Sequence, residues 1–306
     1  MISIIIPCYN EEEIIEDFIS ELEINISKIN QKFEIIFIDN KSVDLTVNKI
    51  KANIKKFENC KIIKLSNYFG KESAILAGID NSNGSACIIM DPDLEDPPSL
   101  INKMIDEWKN GFDVVYAVRK TIKTTFIKKI MRHSFYLIYS YLVNKNFLIP
   151  KNTGDFRLID KKITTHLKSM RERTRFLRGL VSFIGAKQKS IEFDRPFRKK
   201  GKSKSNIFFL IKYGFDAILS STAGPANLIT KFGLLSLGII FLFLIFILIN
   251  KYFFNPYEGF SFTIVLILFL FSLNTIMIGI IGEYITRIYD EVKQRPNYIV
   301  DEIIDQ

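Results

Sequence analysis

Histidine is nearly absent: the 306 residues carry two, which argues against an imidazole-based metal site or a histidine-dependent triad. Cysteine is scarce as well. Cys8, Cys60 and Cys87 have no paired spacing, so no disulfide framework or zinc motif is read, and free thiols suit a reducing compartment. Neither Gly-x-x-x-x-Gly-Lys-Ser/Thr nor Gly-x-Gly-x-x-Gly occurs, which sets aside the usual ATPase and dinucleotide fingerprints. The opening stretch "MISIIIPCYNEEE" lacks a basic n-region and a small-residue cleavage site, so no signal peptide is expected. Internal repeats and low-complexity linkers are also missing.

Charge is missing from two stretches, residues 232–249 and 259–282. Each approaches or exceeds the roughly 20 apolar residues that cross a bilayer as a helix; Thr230 and Asn250 could extend the shorter first run. Lys and Arg crowd the chain before it, from Arg195 to Lys231, whereas the intervening "NKYFFNPYEG" has a single Lys. The positive-inside tendency then puts both termini and the first 200-odd residues on the cytoplasmic side, with a short loop opposite. The net charge of +9 invites a nucleic-acid reading. Its excess clusters beside a span, however, where lipid headgroups or phosphates are the better partners, and nucleic acid is not expected.

The N-terminal part alternates between two periods. Ser3–Ile6, Phe33–Ile38, Ile62–Leu65, Ala86–Met90 and Val114–Val118 read as strands. Between them, Ile14, Ile15, Phe18, Ile19, Leu22 and Ile26 repeat at helical spacing, as do Val47, Ile50, Ile54 and Phe57. A helix follows Gly70, and another, carrying Leu100, Ile101, Met104, Ile105 and Trp108, is opened by Pro97 and Pro98. Asn10 is placed as the N-cap of the first helix. Such alternation predicts an α/β fold with a parallel, doubly wound sheet. Ligands of these sheets bind outside the carboxyl ends of the strands. Three polar loops should therefore converge on one rim: Pro7–Glu12, Asp39–Asp44 and Asp91–Asp96.

The third loop carries the chemistry. "DPDLEDPP" packs Asp91, Asp93, Glu95 and Asp96 into six residues directly after an apolar strand. Carboxylates this close repel one another unless a cation neutralises them. Oxygen donors without His or Cys nearby suit Mg²⁺ or Mn²⁺ shared with substrate phosphates. A solvated acidic turn is the bland alternative, made less attractive by the position after the fourth strand.

"SIIIPCYNEEE", "IDNKSVDLT", "DPDLEDPP", "GDFRLID", "RERTRFLRGLVSFIG" and "GIIGEYITRIYDEVKQRP" occur in order. Together they resemble the GT-A family 2 glycosyltransferases that load a sugar onto a polyprenyl phosphate. The nearest likeness is to bacterial polyprenyl-phosphate glucosyltransferases of the GtrB type, related to dolichol-phosphate mannose synthase and ArnC. The resemblance spans nearly the whole chain and implies a GT-A (Rossmann-like) domain over 1–205, a juxtamembrane amphipathic helix over 206–230, two transmembrane helices within 231–284 and a cytosolic tail over 285–306. Phe126–Leu142 is a second candidate interfacial element.

The resemblance also implies that Pro7, Tyr9, Glu11 and Asp39 hold the base and ribose of a nucleotide-sugar. Asp91 and Asp93 would bind the divalent cation at the donor diphosphate, with Glu95, where many relatives have Gln, a possible third oxygen ligand. Asp155 matches the position assigned as catalytic base. Arg119, Arg132, Arg198 and Lys204 would contact phosphates; a solvated or lipid-facing charge is the alternative for Arg119 and Arg132. Departures from the family pattern occur at Asp39-Asn40-Lys41-Ser42, where Asp-Asp-Gly-Ser is usual, at Phe183 in place of a frequent Trp, and at Ser205 in a usual aromatic position.

The implied reaction is one in-line displacement with inversion at the anomeric carbon. UDP-glucose is the donor the resemblance favours, with UDP-N-acetylhexosamines, UDP-galactose and GDP-mannose behind it. Undecaprenyl phosphate is the expected acceptor for a bacterial source. A phosphate monoester has a second pKa of about 6 and is largely dianionic at neutral pH. It hardly needs a base, so Asp155 is expected to position rather than to take a proton. The resemblance implies a homo-oligomer, with a tetramer one candidate. A processive polysaccharide synthase is disfavoured because its Gln-x-x-Arg-Trp motif is missing: Trp108 is the only Trp. A non-catalytic membrane adaptor would need neither Asp91 nor Asp93.

Overall fold

The sheet is built from strands whose successive side chains point to opposite faces, and both faces are apolar. The computed structural model describes residues 1–120, 126–143, 149–150, 153–194, scattered positions between 214 and 249, and 260–305. These fall into two compact units, Met1–Ser220 with Pro296–Gln306, and Ser221–Arg295.

The first unit runs β1 (Ile2–Cys8), α1 (Ile15–Ile26), β2 (Phe33–Asp39), α2 (Thr46–Asn53), β3 (Cys60–Leu65), α3 (Lys71–Asp80), β4 (Ala86–Ile89), α4 (Leu100–Lys109) and β5 (Val114–Arg119). It continues with α5 (Phe126–Leu142), β6 (Thr153–Asp160), α6 (Lys161–Ser169), α7 (Leu177–Ile184), β7 (Gln188–Phe193) and, after the second unit, β8 (Val300–Asp305). Ile4, Ile6, Phe37 and Ile88 meet Phe18, Leu22, Ile101 and Met104 of α1 and α4 on one face. Ile5, Ile36, Ile38 and Ile89 meet Ala74, Ile75, Leu167 and Val181 of α3, α6 and α7 on the other. Period-2 alternation thus feeds two cores at once, which is the doubly wound arrangement.

Its eight strands run in the order β7-β5-β6-β4-β1-β2-β3-β8. The expected parallel sheet is corrected to a mixed one. β1 to β4 pair in parallel as expected, but β6 inserts antiparallel between β4 and β5, and β8 adds antiparallel to β3. The strand–helix rhythm that implied parallel pairing ends at β5, and β6, β7 and β8 lay beyond it. β1 also extends through Pro7 and Cys8, both expected in a loop, because the ladder tolerates a missing N–H near a strand end. At the opposite end of the sheet from the loops after β1, β2 and β4, buried Glu34 accepts from Ser3 Oγ, Lys61 Nζ and both the amide and side chain of Asn83. That network ties the starts of β1, β2 and β4 together.

Helix α3 approaches β1 and β2 closely because Gly78 has no side chain. A Cβ there would lie 2.3 Å from Ile5 Cγ2 and 2.9 Å from Ile38 Cδ1, both in the buried core. Gly78→Ala is expected to cost about 1–3 kcal/mol by overpacking. Thermal unfolding of the full chain in detergent should show Tm lowered by ~2–4 °C per kcal/mol; an unchanged Tm would mean that α3 can back away freely.

In the second unit, α8 (Phe260–Val292) holds a candidate span, Leu266–Val292, whose most apolar 18-residue window has a mean hydropathy of 2.0 and is not buried. This is the one helix among the described residues long and apolar enough to cross a membrane. It contains much of the second charge-free run. Of the first run, 232–249, only scattered positions are described, and those are helical. The juxtamembrane segment 206–230 lies mostly outside the described residues. Within it, Ile218 packs with Ala217 against Tyr139, Val143 and Phe176. The other expected interfacial element is present as α5, which exposes Leu137, Ile138 and Tyr141.

Candidate active site

Loops after β1 and β2 are stitched to each other. The Asn10 amide donates to Ser42 Oγ at 3.0 Å, and the Val43 amide donates to Asn10 Oδ1 at 2.9 Å. Glu11 and Glu12 amides donate to Thr46 Oγ1 and Asp44 Oδ2. Asn10 therefore does not cap α1, as its residue type suggested. It crosses to the neighbouring loop, and α1 starts at Ile15. Buried Asp39 accepts from the Ser42 amide at 3.1 Å, and Asn40 Oδ1 accepts from the Phe69 amide, drawing in the loop after β3. Asn10, Lys41 and Leu94 have φ of 53°, 64° and 58°. Each of the loops after β1, β2 and β4 thus holds one non-glycine residue in the left-handed region, which costs energy and concentrates at functional sites. At Lys41 this explains why a glycine is usual there.

The antiparallel insertion of β6 creates the centre of the site. Ile89 pairs with Arg157 across β4 and β6; two residues further along the same register, Asp91 comes opposite Asp155. A parallel strand would have put its carboxyl end, not its start, at this rim. Lys71 lies between the two acids, its Nζ 2.7 Å from Asp91 Oδ2 and 2.8 Å from Asp155 Oδ2. Arg178 Nε donates to Asp155 Oδ1 at 2.9 Å and Arg178 Nη1 to the Thr153 carbonyl.

Burial works against the Asp155 charge, but Arg178 and Lys71 outweigh it and hold the carboxyl well below the usual range. Asp91 goes the other way: burial raises it, and despite Lys71 the nearby Asp155 and Asp93 add to the rise. Burial and Asp155 push Glu72, which accepts from the Leu177 amide, up to about 7. Asp96 rises to about 7 through burial and Asp91, opposed by Arg119. The rim is overloaded with acid. The three cysteines take no part: each is buried, and burial pushes Cys60 up to about 12 and Cys87 up to about 11.

The expected residues fall into three groups. Asp155, Asp91 and Asp93 meet at the centre. Tyr9, Glu11 and Asp39 lie on the loops after β1 and β2, where the Tyr9 ring packs 4.6 Å from that of Tyr68; Pro7 is buried inside β1. Arg119, at the end of β5, reaches Asp96 at 3.3 Å, while its Nε has no partner among the described residues. The side chain of Arg132 and all of Arg198 and Lys204 lie outside the described residues. Among the described residues no group of three or more His, Cys, Asp or Glu is set to hold a metal. At the expected Asp91, Asp93 and Glu95, Lys71 engages Asp91, and the Glu95 amide donates to Asp93 Oδ1.

Sequence reading missed Lys71, Glu72 and Arg178. The first two open a helix directly after the third strand, which places them at the ligand rim. Arg178 lay in "RERTRFLRGL" with no role attached.

Residues 3–167, more than half of the chain, match Glycosyl transferase family 2. The chain belongs to that family. It is 38% identical over 97% of its length to the uncharacterized glycosyltransferase YkcC of Bacillus subtilis, covering 92% of that protein. It is 35% identical to the bactoprenol glucosyl transferase of Shigella phage SfII, over 98% of this chain and 97% of the phage protein. The crystal structure of mannosyl-3-phosphoglycerate synthase from Rubrobacter xylanophilus superposes with a TM-score of 0.50 at 14% identity, covering 76% of this chain and 75% of that one. That likeness concerns the GT-A fold alone.

Proposed function

We propose that this family 2 glycosyltransferase transfers a hexose, glucose from UDP-glucose in the reading we favour, to a polyprenyl phosphate at a membrane. The observation that carries this is the meeting of Asp91 and Asp155 around one ammonium at the rim of a GT-A sheet. The full-length likeness to bactoprenol glucosyl transferase supports the lipid acceptor and the sugar. The apolar length of α8 supports membrane attachment; the Lys and Arg crowding from Arg195 to Lys231 supports a cytoplasmic catalytic unit. We place the chain in a homo-oligomer by family likeness.

The donor set fits a hard divalent cation, Mg²⁺ or Mn²⁺: half-buried acidic oxygens without His or Cys, with Asp91 at present paired to a lysine. Asp91 and Asp93 would hold it, and it would supply neutralisation of the leaving diphosphate. The remaining steps belong to the chain. Tyr9, Glu11 and Asp39 bind the nucleoside end of the donor. Arg119 offers its free Nε–H to a phosphate oxygen. Asp155, clamped by Arg178 and Lys71, orients the reacting partners. An oxygen of the acceptor phosphate dianion forms the bond to the anomeric carbon as the bond to the diphosphate breaks, inverting that centre. The depressed pKa of Asp155 makes it a weak base, which supports positioning over proton abstraction.

Sugar transfer from a panel of radiolabelled nucleotide-sugars to undecaprenyl phosphate, in detergent, tests this. One donor should give a lipid-linked product that EDTA abolishes. No product from any donor, with folded protein and lipid present, would overturn the assignment.

A further inference from the structure

Asp91 serves two masters. It is proposed to hold the divalent cation, yet its Oδ2 already accepts from Lys71 Nζ at 2.7 Å, and the same ammonium bonds Asp155 Oδ2 at 2.8 Å. Mg²⁺ needs carboxylate oxygens at about 2.0–2.1 Å in a near-ideal octahedron. An ammonium on Oδ2 takes that oxygen from the ion, leaves only Oδ1 for coordination, and repels the ion. We propose that Lys71 is an exchange cation: it neutralises Asp91 and Asp155 while the donor site is empty, and releases Asp91 only when a nucleoside diphosphate and a divalent cation arrive together. This rests on the reading of the site as a cation-dependent nucleotide-sugar site.

Three features let the lysine move. Its side chain is 41% exposed, so the flexible four-carbon stem can swing without opening the core. It is the first residue of α3, and the preceding Gly70, at φ 86°, has open space around it. An ammonium released from Asp91 keeps Asp155 but loses one of its two carboxylates, and the diphosphate supplies a replacement anion at the positive end of the ten-residue α3. A cation alone gives Lys71 nowhere as favourable to go. Cation and nucleotide should therefore bind with positive coupling, each strengthening the other by the same factor.

Mn²⁺ binding to the full-length protein in detergent, read from the EPR signal of free Mn²⁺ with and without UDP or GDP, tests this without turnover. For the wild type, nucleoside diphosphate should tighten Mn²⁺ binding at least tenfold. Without nucleotide, Lys71→Met and Lys71→Gln should bind Mn²⁺ at least tenfold more tightly than the wild type, and the coupling should shrink. Lys71→Arg, which keeps the charge, should stay within threefold of the wild type. If the neutral variants bind Mn²⁺ no more tightly than the wild type while nucleotide still promotes binding, or if Lys71→Arg tightens as much as they do, the exchange role is wrong and the site reading stands. If no form binds Mn²⁺ with either nucleotide, the site reading falls and the exchange role with it.

Discussion

Asp155→Asn is expected to transfer sugar about a hundredfold more slowly than the wild type, the scale of a reacting group misplaced by ~1 Å, and by the same factor at pH 5.5 as at pH 8. The argument starts from the two bonds on this carboxylate. Arg178 holds Oδ1 and Lys71 holds Oδ2, so the negative charge fixes two cations as much as they fix it. An amide has the same shape but only one acceptor, and its NH₂ would face a donor. Arg178 or Lys71 must then shift, and with them the geometry around Asp91. The pH test separates this from base catalysis. A base becomes more important as the acceptor is protonated, so loss of a base would be mild at pH 8, where the phosphate is a dianion, and severe near pH 5.5. Since Asp155 is held well below the ordinary carboxylate range, it stays ionised throughout that window, and the wild-type to variant ratio should be flat. A ratio that climbs steeply toward pH 5.5 would restore Asp155 as a base.

Much of this site was legible because strand ends announce themselves. Apolar runs ending in Asp39, Asp91 and the polar pair Tyr9-Asn10 mark three rim loops in the sequence, and the acid crowding after β4 is what the cation reading rests on. The partner of Asp91 was harder to see. Asp155 reaches it only through an antiparallel strand inserted between β4 and β5, and residue patterns carry little information on which strands become neighbours. Lys71 and Arg178 were hidden for a related reason. A lysine opening a helix looks like surface, and only tertiary contact reveals an ion pair spanning Lys71 and Asp155. Asn10 misled because its residue type suits a helix cap and a loop-to-loop bridge equally well; the fold took the bridge. The tail beyond α8 gave no sign of joining the sheet, since Val300–Asp305 reads as a charged end. Its pairing with β3 and the Lys64–Glu302 ion pair emerge only in three dimensions.

Asp93→Ala should abolish measurable transfer, a loss of about a thousandfold or more, the scale seen when a principal electrostatic stabiliser of a transition state is removed, whereas Glu95→Gln should lose less than about tenfold. The contrast follows from the turn itself. Leu94 takes a left-handed conformation, and the Glu95 amide donates to Asp93 Oδ1 at 3.1 Å. Glu95 thus contributes its backbone to the orientation of Asp93, and a glutamine preserves that amide. Asp93 is also close enough to Asp91 to raise its pKa. Removing it relieves repulsion in the empty site while deleting a proposed cation ligand. Asp93→Ala should therefore be folded, with Tm at or above the wild-type value at pH 8, and inactive. That combination is what a structural acid would not give, because loss of a structural acid lowers Tm. Transfer assays with Mn²⁺ titrated from micromolar to millimolar, run beside thermal melts, distinguish the cases. Activity in Asp93→Ala that returns at high Mn²⁺ keeps the ligand role and revises its size. A thousandfold loss in Glu95→Gln would bring Glu95 back as a third oxygen ligand.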